Sequence, residues 1–247
     1  MLRDALIEHL NQLLHPELFK DYAPNGLQVQ GKDEISRIVC AVSATQYVID
    51  RACELQADAL LVHHGWFWRG ENAAVIGMKY KRLKALMSAD INLIAYHLPL
   101  DAHETLGNNA RFGTLLGAEA VTQLADEPFV WTGIIAPESL DALADRVGEL
   151  LGRQPLVLGQ RDKPVQKLAW CSGAAQDFFE TAVAAGVDVY LSGEAAERTT
   201  HFARESGVPY LVCGHHATER LGICTLGEYI ERELGLECIF VDDDNPI

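Results

Sequence analysis

Long apolar runs are missing from this chain of 247 residues. No stretch approaches the roughly eighteen residues that a membrane-crossing helix needs. The opening MLRDALIEHLNQLL carries Asp4 and Glu8 inside its apolar pattern, which excludes the uninterrupted core of a secretory signal and points to the cytoplasm. Cations are scarce as well: 20 Lys and Arg face 35 Asp and Glu, a formal charge of −15. Such a surface repels phosphate backbones and anionic lipid headgroups, so neither nonspecific nucleic-acid binding nor a membrane partner is expected, although a local pocket for one small phosphorylated ligand is compatible with it. The six cysteines include no C-x-x-C pair and sit mostly in apolar runs such as RIVCAV and LECIFV. That pattern fits buried, reduced thiols rather than cysteine-ligated zinc. There is no G-x-x-x-x-G-K-[ST], no G-x-S-x-G, no H-E-x-x-H, and no G-x-G-x-x-G opening a helix. Phosphate-loop and serine-nucleophile chemistry are therefore without support.

What is present describes a globular protein. Hydrophobic residues make up 49% and charged residues 22%, and the length suits one large domain or two small ones. Leu2, Ala5, Leu6, Leu10, Leu13 and Leu14 form one helical stripe, and DYAPNGLQVQG after it reads as a loop around Pro24 and Asn25-Gly26. Short β-branched runs (37–43, 59–62, 91–96) then alternate with helical stretches (46–56, 78–88, 106–116). This is the rhythm of βαβ units, predicting an α/β fold with mainly parallel sheets.

The rhythm returns. IVCAVSA from Ile38 reads like LAWCSGA from Leu168, and QYVIDRACELQAD from Gln46 like QDFFETAVAAGVD from Gln176, both at an offset of 130 residues. Farther on, LIAYH from Leu93 matches LVCGH from Leu211, and Asp101 matches Glu219, at an offset of 118. A constant offset between unlike residues suggests duplication of an α/β unit, against the plainer reading that any two strand-helix-strand stretches look alike. The segment ADEPFV around Pro128 is the natural seam, giving domains over residues 1–125 and 126–247.

Four of the nine histidines form two consecutive pairs, His63-His64 and His215-His216, each following an apolar strand-like run. Strand carboxyl ends are where open α/β sheets gather ligands. His97 and Asp101 are four residues apart, as are His215 and Glu219, and one helical turn would set each imidazole beside its carboxylate. Such pairs make half-sites for a divalent transition metal. His9, His15, His103 and His201 lack that context. GWFWRG places Trp66, Phe67 and Trp68 beside the first pair, either as core or as a stacking surface for a flat heterocycle. At the 130-residue offset His63 and His64 fall on Gly193 and Glu194. Glu194 is thus expected near the site, moving a proton or orienting an imidazole, unless it merely opens the helix of GEAAERTTHFA.

PNGLQVQG, ADALLVHH, IAYHLPLD followed by GNN, GVDVYLSGE and GHHATERLGI together resemble the GTP cyclohydrolase 1 type 2 homolog family, also called Ngg-interacting-factor-three-like, over nearly the whole chain. The resemblance implies two similar, linked α/β domains with a dinuclear metal centre between them, assembled as a toroidal homohexamer. By motif position it implies His63, His64, Asp101, His215 and Glu219 as ligands of two divalent ions, with His97 beside the ligands; Glu219, as the candidate placed between both clusters, is the expected bridge. Zinc, iron, manganese, cobalt and nickel all suit such a donor set. The activity implied is a metal-dependent hydrolase acting on a purine nucleotide or related heterocycle; His97, together with Glu194 from the 130-residue offset, is a catalytic candidate. The alternative is a hexameric scaffold that stores or delivers metal without turnover. One departure concerns the substrate: many relatives continue the first pair as HHP, where this chain reads HHGWFW.

Overall fold

The computed structural model describes residues 1–247. Along the chain run α1 (Arg3–Leu14), β1 (Gly26–Val29), β2 (Arg37–Ser43), α2 (Gln46–Glu54), β3 (Ala59–His64), α3 (Gly77–Ser88), β4 (Asn92–Ala95), α4 (Leu98–Ala102) and α5 (Asn108–Leu115). There follow β5 (Glu119–Leu124), β6 (Glu127–Ser139), α6 (Leu140–Leu151), β7 (Leu156–Leu158), β8 (Pro164–Cys171), α7 (Phe179–Ala184) and β9 (Val189–Ser192). Last come α8 (Glu197–Ser206), β10 (Tyr210–Val212), α9 (His215–Leu234) and β11 (Glu237–Phe240). No helix is long and apolar enough to cross a membrane.

The chain forms two compact units, residues 1–107 with 222–244, and residues 108–221 with 245–247. The seam expected at 125/126 coincides instead with the turn of the β5–β6 hairpin. Turn-forming residues look alike in a hairpin and in a linker, so composition alone does not separate the two.

In the first unit the sheet order is β1-β4-β3-β2-β11, with every pair parallel except β1–β4. Alternate residues of β2 are apolar on both faces. Ile38, Cys40 and Val42 pack with Leu6 and Leu10 of α1 and Ile223, Leu226 and Ile230 of α9. Val39 and Ala41 pack with Val48, Ile49 and Ala52 of α2 and Leu86 of α3. Burial on both faces is why these strands read as continuous apolar runs.

The second unit has the sheet order β5-β6-β8-β9-β10-β7. Here the expectation of a mainly parallel sheet needs correction: only β8–β9 and β9–β10 are parallel, while β5–β6, β6–β8 and β7–β10 are antiparallel. The hairpin on one side and a short edge strand on the other convert a parallel core into a mixed sheet. Leu168 and Trp170 face α6, and Ala169 and Cys171 face Phe179 and Ala182 of α7.

The duplication is visible in the backbone. In the first unit Ile38 pairs with Ala59, and in the second Leu168 pairs with Val189, both shifted by 130 residues. The Asp58 carboxylate accepts from the amides of Ser36 and Arg37, and Asp188 accepts from those of Gln166 and Lys167. Gln56 and Gly186 both take left-handed backbone at the end of the helix between. For the next strand the structural offset is 117, not 118: Leu60 pairs with Leu93, whereas Tyr190 pairs with Tyr210. His97, just before α4, is therefore matched by Gly214, just before α9, and the His-x-x-x-acid pairs of the two halves stand one residue out of step.

Candidate metal centre

In the first unit, β3 ends in His63 and His64, whose ring centroids lie 4.6 Å apart. His97 precedes α4, and its ring lies 5.1 Å from that of His63 and 5.6 Å from that of His64. One ligand atom from each of the three lies within 4.8 Å of the others. Each Nδ1 has a partner behind it. His63 Nδ1 donates to the Tyr96 carbonyl at 3.0 Å, His64 Nδ1 shares a hydrogen bond with Ser43 Oγ at 3.1 Å, and His97 Nδ1 donates to Asp21 at 2.6 Å. An imidazole whose Nδ1 is held in this way presents Nε2 as its ligand atom. Asp101, in α4, brings Oδ2 to 3.5 Å from His63 Nε2, so its carboxylate joins His63 rather than its own helical partner His97.

In the second unit the carboxylate does join its own helical partner, at the start of α9. His215 Nε2 and Glu219 Oε2 are 3.0 Å apart on the first turn of the helix, and His215 Nδ1 donates to Glu194 at 2.6 Å. Burial favours the neutral ring, but the hydrogen bonds and charges of Glu219 and Glu194 outweigh it and raise His215 to about 9. Glu194 lies ahead of α8, which begins at Glu197, so it is no helix-opening acid. It backs His215. Two glycines make room here. A Cβ on Gly173, at φ +66°, would come within 2.2 Å of Glu219 Oε1, and one on Gly193 within 2.6 Å of the His215 Cα. The second half thus carries glycine at the position of His63 because the backbone of the α9 entry packs against it.

The remaining histidines have other partners. His103 Nδ1 accepts from the amides of Thr105 and Leu106, His201 pairs with Glu197 on an exposed face, His15 with Glu17, and His9 with the Tyr229 hydroxyl. The aromatic loop divides. Trp66 is core, its Nε1 donating to the Ala44 carbonyl, whereas Trp68 stands edge-on to His97 at 5.0 Å and 5.9 Å from His64.

Three residues of this environment were not picked out from the sequence. Asp21 and Asn25 sit in the loop that reads only as turn formers, and Ser43 ends β2. Burial pushes the Asp21 carboxyl up, yet the hydrogen bond and charge of His97, with Asn25 and the Tyr22 amide, hold it at about 2. PNGLQVQG also supplies Gln28, whose Oε1 accepts from the Trp66 amide. GNN supplies Asn109, whose Oδ1 accepts from the Ser172 amide next to Gly173.

An α/β chain with two sheets and strand-end imidazoles backed by acceptors defines a class. The family described as Duf34/NIF3 (NGG1p interacting factor 3) matches residues 1–246, and the chain belongs to it. Among its relatives, proteins named GTP cyclohydrolase 1 type 2 homolog from Vibrio cholerae and Escherichia coli are 47% and 44% identical, with 96% and 100% of each chain covered. A solved structure titled protein ybgI, of unknown function, is similar at a TM-score of 0.97 and 44% identity over the full length of both chains. TTHA1606 from Thermus thermophilus is similar at a TM-score of 0.93 and 33% identity, also over both full lengths. Reduced HcgD from Methanocaldococcus jannaschii is similar at 0.87 and 28%, over 98% of each chain.

Proposed function

We propose that this protein is a dinuclear metal-dependent hydrolase acting on a purine nucleotide or a related heterocycle. His63, His64, Asp101, His215 and Glu219 would hold its ions, and His97 and Glu194 would serve the reaction beside them. The observation that carries this reading is the shared preparation of four imidazoles, each with Nδ1 held and, for His63 and His215, a carboxylate at Nε2. Ligating histidines are ordinarily oriented by just such partners. Mixed nitrogen and oxygen donors suit zinc, iron, manganese, cobalt or nickel. Two divalent ions sharing a water would supply a hydroxide nucleophile near neutral pH.

The protein's own groups then divide the remaining work. Glu194 holds the His215 ring, Trp68 walls the His97 side, and His97, its ring 5.1 Å from that of His63 and its Nδ1 held by Asp21, has Nε2 left as a proton acceptor. The relatives' name supports a purine nucleotide, for which attack at the imidazole carbon opens the five-membered ring. The family resemblance further supports assembly as a homohexamer.

The test strips metal with a chelator, reloads each candidate ion, and follows GTP by chromatography together with formate release. Two equivalents of metal per chain with ring opening is the expected result. Two equivalents and a melting temperature that collapses on stripping, with no turnover of GTP or other purine nucleotides, would replace the hydrolase by the metal-storing scaffold.

A further inference from the structure

We propose that Asp21 is a positioning residue of this site, fixing the His97 imidazole with its proton on Nδ1 so that Nε2 faces the His63 and His64 rings as an acceptor. The Asp21 side chain is 4% exposed. Its Oδ1 accepts from His97 Nδ1 at 2.6 Å and from the Tyr22 amide at 2.6 Å, and its Oδ2 accepts from Asn25 Nδ2 at 2.9 Å and from the Leu98 amide at 3.0 Å. An ionised carboxylate has no hydrogen to give, so the proton in the His97 contact belongs to the ring. A neutral imidazole carries only one, which leaves Nε2 with its lone pair.

The ring is held from other sides too. Asn25 Oδ1 accepts from the His97 amide at 2.8 Å, Trp68 stands at 86° to the ring and 5.0 Å away, and Tyr22 lies 6.3 Å away at 64°. Arg69 ties the aromatic loop to the same segment, its guanidinium donating to the Asp21 carbonyl and its amide to the Tyr22 carbonyl. Turning the imidazole over would set a C–H against the carboxylate. The buried geometry therefore specifies both the ring's orientation and its tautomer.

A carboxylate that merely stapled the loop would be indifferent to where the His97 proton sits, and this separates the two roles. In Asp21→Asn the new NH2 must face either His97 Nδ1 and the Tyr22 amide or the Leu98 amide and Asn25 Nδ2. Each placement meets one backbone amide that cannot give way, and Asn25 Nδ2 cannot turn aside while Asn25 Oδ1 accepts from the His97 amide, so the NH2 is better accommodated against His97, whose imidazole can move its proton from Nδ1 to Nε2. Nitrogen-15 spectra of histidine-labelled, metal-free protein read the tautomer directly, the His97 signals being assigned by their loss in His97→Gln.

The wild type is expected to show a pyridine-type resonance at Nε2 of His97, moving to Nδ1 in Asp21→Asn. Asp21→Glu, which keeps the acceptor, is expected to retain the wild-type form and serves if the amide variant does not fold. A wild-type His97 protonated on Nε2, an unchanged tautomer in folded Asp21→Asn, or a switch in Asp21→Glu would each overturn the assignment. The use of this acceptor for proton transfer rests on the hydrolase reading. The measurement itself needs neither metal nor substrate, so absent GTP turnover would count against that reading alone.

Discussion

At the residue scale, Glu219 sits 3% exposed with its carboxylate beside His215 Nε2, a place where the negative charge matters more than the shape. An amide cannot neutralise two cations, so Glu219→Gln is expected to keep the circular dichroism of the wild type and to lose one or both metals by elemental analysis. In the same series His64→Ala and His215→Ala should lower metal content, whereas His103→Ala and His201→Ala should not, because those two bind a local turn and an exposed glutamate. Equal losses across the four histidines, or two equivalents of metal in Glu219→Gln, would remove these ligands from the proposal. The clustering of histidines after apolar runs is legible in the sequence, since each pair adjoins its own strand. What holds the rings is not: Asp21 is 76 residues from His97, and the Tyr96 carbonyl is 33 residues from His63.

At the scale of elements, the clip at the start of β3 shows how the duplicated unit is pinned. Asp58 accepts from Lys32 Nζ at 2.7 Å, from the Ser36 hydroxyl at 2.8 Å, and from the Ser36 and Arg37 amides at 2.9 and 3.0 Å, joining the approach to β2 to that of β3. Burial alone would push this carboxyl up, but the lysine and the amide and hydroxyl donors outweigh it and hold it well below the usual carboxylate range. A carboxyl depressed in the folded state stabilises the protein at neutral pH, and that contribution fades as pH falls below the unfolded value of about 3.9. Asp58→Asn is therefore expected to lose about 2 kcal/mol at pH 7, from a buried acceptor replaced in part by a donor. The gap to wild type in urea melts should narrow below about pH 4, approaching the carboxyl's unfolded titration range. A gap constant from pH 7 to pH 3 would show that the charge of Asp58 is not what pins the clip.

At the scale of the whole molecule, the proposed homohexamer predicts a light-scattering mass six times that of the 27.2 kDa chain. A monomer at all concentrations would remove the assembly and leave the donor sets as they are. The sequence by itself determined the α/β class, the repetition of a strand-helix-strand unit and the strand-end histidines, because hydrophobic period, turn residues and self-similarity are properties of neighbouring residues. Only the tertiary structure decided that the compact units divide after Gly107 and Leu221, that the second sheet is mixed, and that the second block repeats at 117 residues. Only it brought Asp21 behind His97 and Glu194 behind His215. Sheet edges, strand register and the partner of a buried imidazole depend on segments far apart in the chain, and a local pattern that is satisfied equally well by several such pairings cannot choose among them.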